Sequence, residues 1–197
     1  MNGKPVSIEI PTKYGVFKLT VWPGARGREL IALSTSSLNL EEEVTVRIHS
    51  ECLTGDVFHS LLCDCEKQKD RALREIQASG NGIFIYHRQE GRNAGLHNKV
   101  RIYQLMQEGV DTYNASATIT GRADNREYSD VLRALHHLVP NRENRIKLLT
   151  NNPAKAKFLR NQGYQVVVQS FRSKSGKHNK SYLSAQQLRF KHNALLK

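Results

Sequence analysis

The periodicity of the chain changes once, near residue 50, and that change limits the folds open to it. Before it, four short segments alternate apolar with polar side chains: PVSIEI (5–10), VFKLTVW (16–22), ELIALS (29–34) and VTVRIH (44–49), with Gly or Pro between several of them. A period of two is the pattern of strands. After it, residues 66–79 carry many charges with Ala72, Leu73 and Ile76 at helical spacing, and Gly80 stands just past the end, as a helix stop does. The run IFIY (83–86) predicts a buried strand, the segment HRQEGRNAG (87–95) a polar loop, and residues 96–108 a helix. Another helix starts at Asp124 or Ser129 and runs to about residue 138, before Pro140. A strand at 145–149 (RIKLL), the loop TNNP, a helix at 153–161 and a strand at 165–169 (QVVVQ) follow. Pro153 suits a first helical turn, where its missing N–H costs nothing. Residues 172–181 read as a basic loop and 183–195 as a terminal helix. A β-rich N-terminal part followed by β/α alternation predicts an α/β fold, a mixed β-sheet flanked by helices. The length fits one domain over 1–197, two small lobes remaining open, with about 172–197 as a basic C-terminal tail or helix.

Charge is distributed unevenly. Residues 1–143 hold 18 Lys+Arg and 18 Asp+Glu, while 144–197 hold 12 Lys+Arg and no carboxylate. The net charge of +12 therefore resides in the C-terminal part. Such a region attracts polyanions, a nucleic acid, an acidic membrane surface or a small polyphosphate, or is simply a solvated basic face. No apolar run approaches the ~18 residues of a membrane span. The start, MNGKPVSIEIPTKYG, lacks the apolar stretch of a signal peptide. A soluble, cytoplasmic protein is expected.

All three cysteines fall within 14 residues, as C-x10-C-x-C: Cys52, Cys63 and Cys65. An odd number cannot pair fully within the chain, and in a reducing compartment such a cluster is more often metal-binding than a disulfide framework. Three thiolates leave the fourth position of a zinc ion open, the catalytic arrangement; a fourth ligand from His49, His59 or Asp64 would close a structural site instead. Ordinary buried thiols are the plain alternative. Around the cluster stand Arg47, His49, Ser50, Glu51, Thr54, Asp56 and Asp64, which together look like the wall of a site.

Three ordered blocks carry a resemblance. VRIHSECLTGDVFHSLLCDC (46–65), YHRQEGRNAGLHNKVRIY (86–103) and LLTNNPAK (148–155) closely resemble the GTP cyclohydrolase II family, and the likeness runs from about residue 5 to 192, including NKSYLSAQQLRFKH. The resemblance implies that family's fold and its activity in riboflavin biosynthesis. GTP is opened at the imidazole ring, with release of formate and pyrophosphate, to 2,5-diamino-6-ribosylamino-4(3H)-pyrimidinone 5′-phosphate. It implies a homodimer, one zinc ion per chain on Cys52, Cys63 and Cys65, and magnesium with the triphosphate. GTP contacts would come from Arg47, Ile48, His49, Ser50, Glu51, Gln68, Glu90, Gly91, Arg92, Thr112, Thr150 and Lys155. Tyr103 matches the family's catalytic tyrosine, and Asp124 and Arg126 in ADNREY match its proton acceptor and proposed arginine nucleophile. A guanidinium is almost always protonated, so electrostatic stabilisation at the α-phosphate is the plainer role for Arg126.

Other readings stand beside these. Without the family likeness, Tyr103 would be a half-buried core tyrosine with a wet hydroxyl. His87 and His97 read as orienting or surface residues. The chain departs from the family at Glu66, Ala94 and His97, around Pro140–Asn144, and most at Ala115–Gly121, where Ser116 replaces an Asn. These departures admit a paralogue that stops at a formamidopyrimidine nucleotide or serves a specialised pathway. A reading of another class, a basic zinc-stapled nucleic-acid-binding module, finds few clustered aromatics for stacking bases. No nucleic acid or membrane partner is expected.

Overall fold

The structure is a computed structural model and describes residues 3–24 and 28–171. The predicted tail helix at 183–195 lies outside the described residues. Seven strands form one sheet in the order β1-β2-β3-β5-β4-β6-β7. β1 (Val6–Thr12), β2 (Gly15–Trp22) and β3 (Leu30–Ser34) form an antiparallel meander. β3 pairs antiparallel with β5 (Gly82–His87), and from there the sheet is parallel: β5 with β4 (Val44–Ser50), β4 with β6 (Arg145–Leu149), and β6 with β7 (Gln165–Gln169).

Parallel neighbours need crossovers, and helices supply them. α2 (Cys65–Ser79) links β4 to β5, and α7 (Pro153–Asn161) links β6 to β7. α2 buries Ala72, Leu73 and Ile76 on one stripe and stops at Gly80, whose φ of 66° is the left-handed terminator that a Cβ would disfavour. It packs on one sheet face with Phe17, Phe84, Leu149 and Phe171. α6 (Ser129–Leu138) buries Val131, Ala134 and Leu135 on the opposite face. There they meet Val44, Val46, Ile48, Ile83, Ile85, Ile146 and Leu148, with Ala156 and Leu159 of α7. Burial of each such aliphatic side chain contributes roughly 1.5–3 kcal/mol.

This two-faced burial fixes what β4 presents. Val46 and Ile48 point to the α6/α7 side, so Arg47 and His49 point to the α2 side, where both are buried. Chain connections leave the adjacent strands β4 and β6 in opposite directions, to β5 and to β7. A crevice therefore opens beyond their carboxyl ends, where parallel sheets place ligands. The short helix α3 (Glu90–Asn93), then α4 (Leu96–Gln107) and α5 (Thr112–Thr120), wall this end, and a short helix α1 (Leu53–Asp56) follows directly on β4. The sequence pattern had not predicted α5. Of the two helix starts predicted near residue 124, the structure takes Ser129, and Asp124 lies in the preceding loop. Among the described residues, no helix is long and apolar enough to cross a membrane.

Candidate active site

The crevice encloses about 1060 Å³, its open mouth included. The end of β4 contributes Arg47, His49, Ser50, Glu51 and Cys52, and the next turn and α2 contribute Cys63, Asp64, Cys65 and Gln68. Glu90, Gly91 and Arg92 line it from α3, Lys99, Ile102 and Tyr103 from α4, and Thr112 and Ser116 from α5. Arg126 enters from the loop before α6, and Thr150, Asn151, Asn152 and Lys155 from the β6–α7 junction. Two residues expected here do not line it. Ile48 is 1% exposed and turned into the core, so only its backbone faces the site. Asp124 stands behind Arg126, whose Nε it receives at 2.9 and 3.1 Å.

The three cysteines converge. Their sulfurs lie within 4.8 Å of one another, with Cys52 and Cys63 3.6 Å apart. A disulfide needs about 2.05 Å, whereas two thiolates on a tetrahedral zinc at about 2.3 Å lie about 3.8 Å apart. Hydrogen bonds from Cys63 and Cys65 hold the Cys52 thiol well below its ordinary range. The same bonds push Cys63 up to about 12 and Cys65 up as well. The three thiols do not ionise together unaided, and a dication would let them do so. Of the possible fourth ligands, His49 Nε2 contacts both Asp56 oxygens at 3.1 Å, exposed His59 bonds Glu66, and Asp64 receives Gln68 Nε2. Among the described residues only the three cysteines form the group, and all three line the crevice.

The neighbourhood holds the thiols in place. Asp56 accepts the Cys52 amide and the Tyr86 hydroxyl, each at 3.1 Å. The His49 ring lies against both Phe84 and Tyr86, with centroids 5.4 and 5.8 Å away, and burial holds it below its ordinary range. A Cβ on Gly55 would lie 2.8 Å from the Cys63 sulfur and 3.1 Å from that of Cys52. Gly55→Ala should therefore displace the thiols and destabilise the fold by about 1–3 kcal/mol through overpacking. Urea unfolding measures it; unchanged stability would show that the cradle is looser than these distances.

Cations ring the other end. Burial pulls Arg47 down to about 10, still protonated at neutral pH; it donates to the Leu149 carbonyl at 2.7 Å and to Gln68. Lys155 donates to the Ile48 carbonyl at 2.8 Å, and burial followed by Arg47 and Arg126 holds it well below the usual lysine range. Burial alone would raise Asp124, but hydrogen bonds from Arg126 win and hold it below its ordinary value. Arg92 donates to Ser116 at 3.3 Å from a left-handed backbone (φ 58°) that it shares with Gly91 and Asn93, a conformation uncommon outside glycine. Both Glu90 oxygens are engaged: Oε2 accepts the Leu53 amide, and Oε1 accepts the Gly91 amide and Lys99 Nζ. Lys99, 7% exposed, is the functional candidate that sequence reasoning missed. Its signal was its position one helical turn before Tyr103.

His87 corrects the expectation of an orienting or surface residue. It is 2% exposed, and neither ring nitrogen has a hydrogen-bond partner among the described residues. His97, by contrast, is exposed. Burial, then the Lys155 charge, lowers His87 from 6.5 to about 4. The unfolded chain takes up this proton below about 6.5 while the native chain refuses it, so stability is full above that pH and falls toward pH 4. The difference corresponds to about 3 kcal/mol. His87→Leu should flatten the fall, with urea midpoints at pH 7 and pH 5 as the measurement; an equally steep fall in the variant assigns the slope elsewhere.

A family model of GTP cyclohydrolase II matches residues 4–170. The chain belongs to the GTP cyclohydrolase II family. It is 42% identical over 180 residues to the GTP cyclohydrolase-2 of Azotobacter vinelandii, covering 90% of this chain and 85% of that one. It is 41% identical to the GTP cyclohydrolase-2 of Haemophilus influenzae (strain PittGG) over 80% of this chain and 73% of the relative. A two-domain 3,4-dihydroxy-2-butanone 4-phosphate synthase from A. baumannii superposes with a TM-score of 0.44 and 18% identity, over 86% of this chain and 41% of its own. A GTP cyclohydrolase II-type hydrolase by family, the chain carries its three clustered cysteines in the wall of this crevice.

Proposed function

We propose that the chain is a zinc-dependent GTP hydrolase that opens the imidazole ring and releases formate and pyrophosphate, leaving 2,5-diamino-6-ribosylamino-4(3H)-pyrimidinone 5′-phosphate. The observation that carries this reading is that three convergent thiols share one crevice with Arg47, Arg92, Arg126 and Lys155. A base carbon and a triphosphate can be held there at the same time.

The donor set fits zinc, which on Cys52, Cys63 and Cys65 would supply a water polarised for attack on C8 at neutral pH. Tyr103 is assigned proton donation to the nitrogens released from C8; burial pushes its hydroxyl up to about 12, so it stays protonated at neutral pH. Arg92 and Arg126 suit phosphate oxygens bidentately, Lys155 acts as a point charge, and magnesium accompanies the triphosphate. Arg126 forms an ion pair with Asp124. That pair favours the protonated guanidinium, so Arg126 is assigned electrostatic stabilisation at the α-phosphate, with Asp124 positioning it. Burial, then Arg47 and Arg126, disfavours the Lys155 cation, and a bound anion would favour it again. The remaining GTP contacts are assigned to His49, Ser50, Glu51, Gln68, Glu90, Gly91, Thr112 and Thr150, with Ile48 acting through its backbone.

Incubation of zinc-loaded protein with GTP and magnesium tests the reading. Mass spectrometry should find the deformylated pyrimidinone nucleotide, with formate and pyrophosphate in equal amounts. A product that keeps the formyl mass identifies the formamidopyrimidine paralogue instead, and no turnover overturns both. Reduced thiols agree with a cytoplasmic site of action in riboflavin biosynthesis. The homodimer expected of the family is checked by sedimentation.

A further inference from the structure

Lys99 has no assigned part in the scheme above, yet it is the charged group nearest the thiols. Its ammonium donates to the Cys52 sulfur at 3.1 Å and to Glu90 Oε1 at 2.8 Å. The Lys99 and Glu90 side chains are 9% and 11% exposed, so solvent screens the pair poorly. Glu90 is itself anchored by the Leu53 amide at 2.6 Å and the Gly91 amide at 2.7 Å. The result is a relay from backbone through carboxylate and ammonium to the sulfur, spanning α1, α3 and α4.

We propose that Lys99 is a positioning residue for the metal centre, with its ammonium hydrogen-bonding the Cys52 thiolate, offsetting the site's negative charge and keeping the metal electron-poor. The proposal rests on the zinc reading above. Three thiolates and a dication sum to one net negative charge, in a pocket where Cys52 and Cys63 are buried. Such a charge needs a partner. The nearby polar groups distribute themselves accordingly. Thr54 Oγ1 sits 3.7 Å from the Cys52 sulfur as a neutral contact, and Asp56 turns its carboxylate to His49, Tyr86 and the Cys52 amide. Lys99 brings its positive charge within hydrogen-bonding distance of the Cys52 sulfur, whereas Arg47 and Lys155 act on Cys65 through their charge. An N–H donor also withdraws electron density from a thiolate, so the sulfur gives less to the metal and the metal polarises its open-position ligand more strongly. Glu90 acts as the outer carboxylate does behind a metal-bound histidine: it orients the donor, and its own charge is spread over two backbone amides.

The test uses full-length protein loaded with zinc or with cobalt(II), whose sulfur-to-cobalt charge-transfer band reports how tightly the sulfur holds its electrons. Lys99→Met keeps the length and the apolar stem and removes charge and donor. Zinc affinity at pH 7 should fall about 10- to 100-fold, and the band should move to lower energy. Lys99→Arg, which keeps a cationic donor, should restore both in part. Affinity within twofold of wild type together with an unmoved band in Lys99→Met overturns the role. If Lys99→Met does not fold, Lys99→Gln is measured against the same criteria. A wild-type chain that takes up neither metal overturns the zinc reading and this role together, whereas wild-type uptake with an unmoved band in the variant overturns this role alone.

Discussion

Cys52→Ser is expected to abolish release of formate and of pyrophosphate together, by at least about three orders of magnitude. A serine hydroxyl does not ionise near neutral pH, so the variant offers zinc two thiolates where the cluster evolved three. Cys52 is the most consequential of the three to lose. Its thiol is the one held low by its neighbours, its amide is anchored on Asp56, and its sulfur meets Lys99. The substitution exchanges one atom in a buried side chain and should leave the sheet intact, which circular dichroism checks. Zinc content and both products are measured on one preparation. Chelation of the wild type should reproduce the loss and added zinc should reverse it. A zinc-free variant that still releases formate would remove the metal from the reaction.

Tyr103→Phe should keep its zinc and its fold while turnover falls about 10²- to 10⁴-fold, the usual size of a lost proton donor. The reasoning is geometric. Tyr103 and Lys99 sit one turn apart on α4, the Lys99 ammonium lies 5.7 Å from the Tyr103 ring centre, and both residues line the crevice beside the thiols. Burial leaves the hydroxyl a donor across the whole neutral range, never a base. The loss should therefore appear in kcat with little change in KM, since the ring still packs as before. Turnover within a fewfold of wild type would pass proton donation to another group.

Much of the fold was legible because its strands and long helices carry strong local patterns. The strand at 145–149, the helix at 153–161 and the strand at 165–169 fall where periodicity put them. α5 was missed because TYNASATIT mixes β-branched residues with small ones and has no clear apolar stripe. Its signals lay at the ends: Asp111 caps the amides of Tyr113 and Asn114, and Gly121 closes it at φ 75°. The strand order was not legible at all, since pairing β4 with both β5 and β6 depends on contacts distant in sequence. The site divides the same way. Its cysteines declared themselves because all three lie in one short segment. Lys99 did not, because its chemistry exists only against a sulfur 47 positions earlier. The alternation does put Ile48 on the face opposite Arg47 and His49, so only the family likeness had placed it in the site; that His87 would be sealed inside no local pattern could tell.

The two halves of the crevice are laced together crosswise: Arg47 on β4 donates to Leu149 on β6, and Lys155 just after β6 donates back to Ile48 on β4. These bonds span 102 and 107 positions of chain, while the cysteines span 14. Closing loops of such different length sets an order of assembly. The thiol cradle can organise from local chain, whereas the cationic end exists only once β6 has docked beside β4. On the proposed reading, metal capture would be open to a half-formed molecule and nucleotide capture reserved for the finished one.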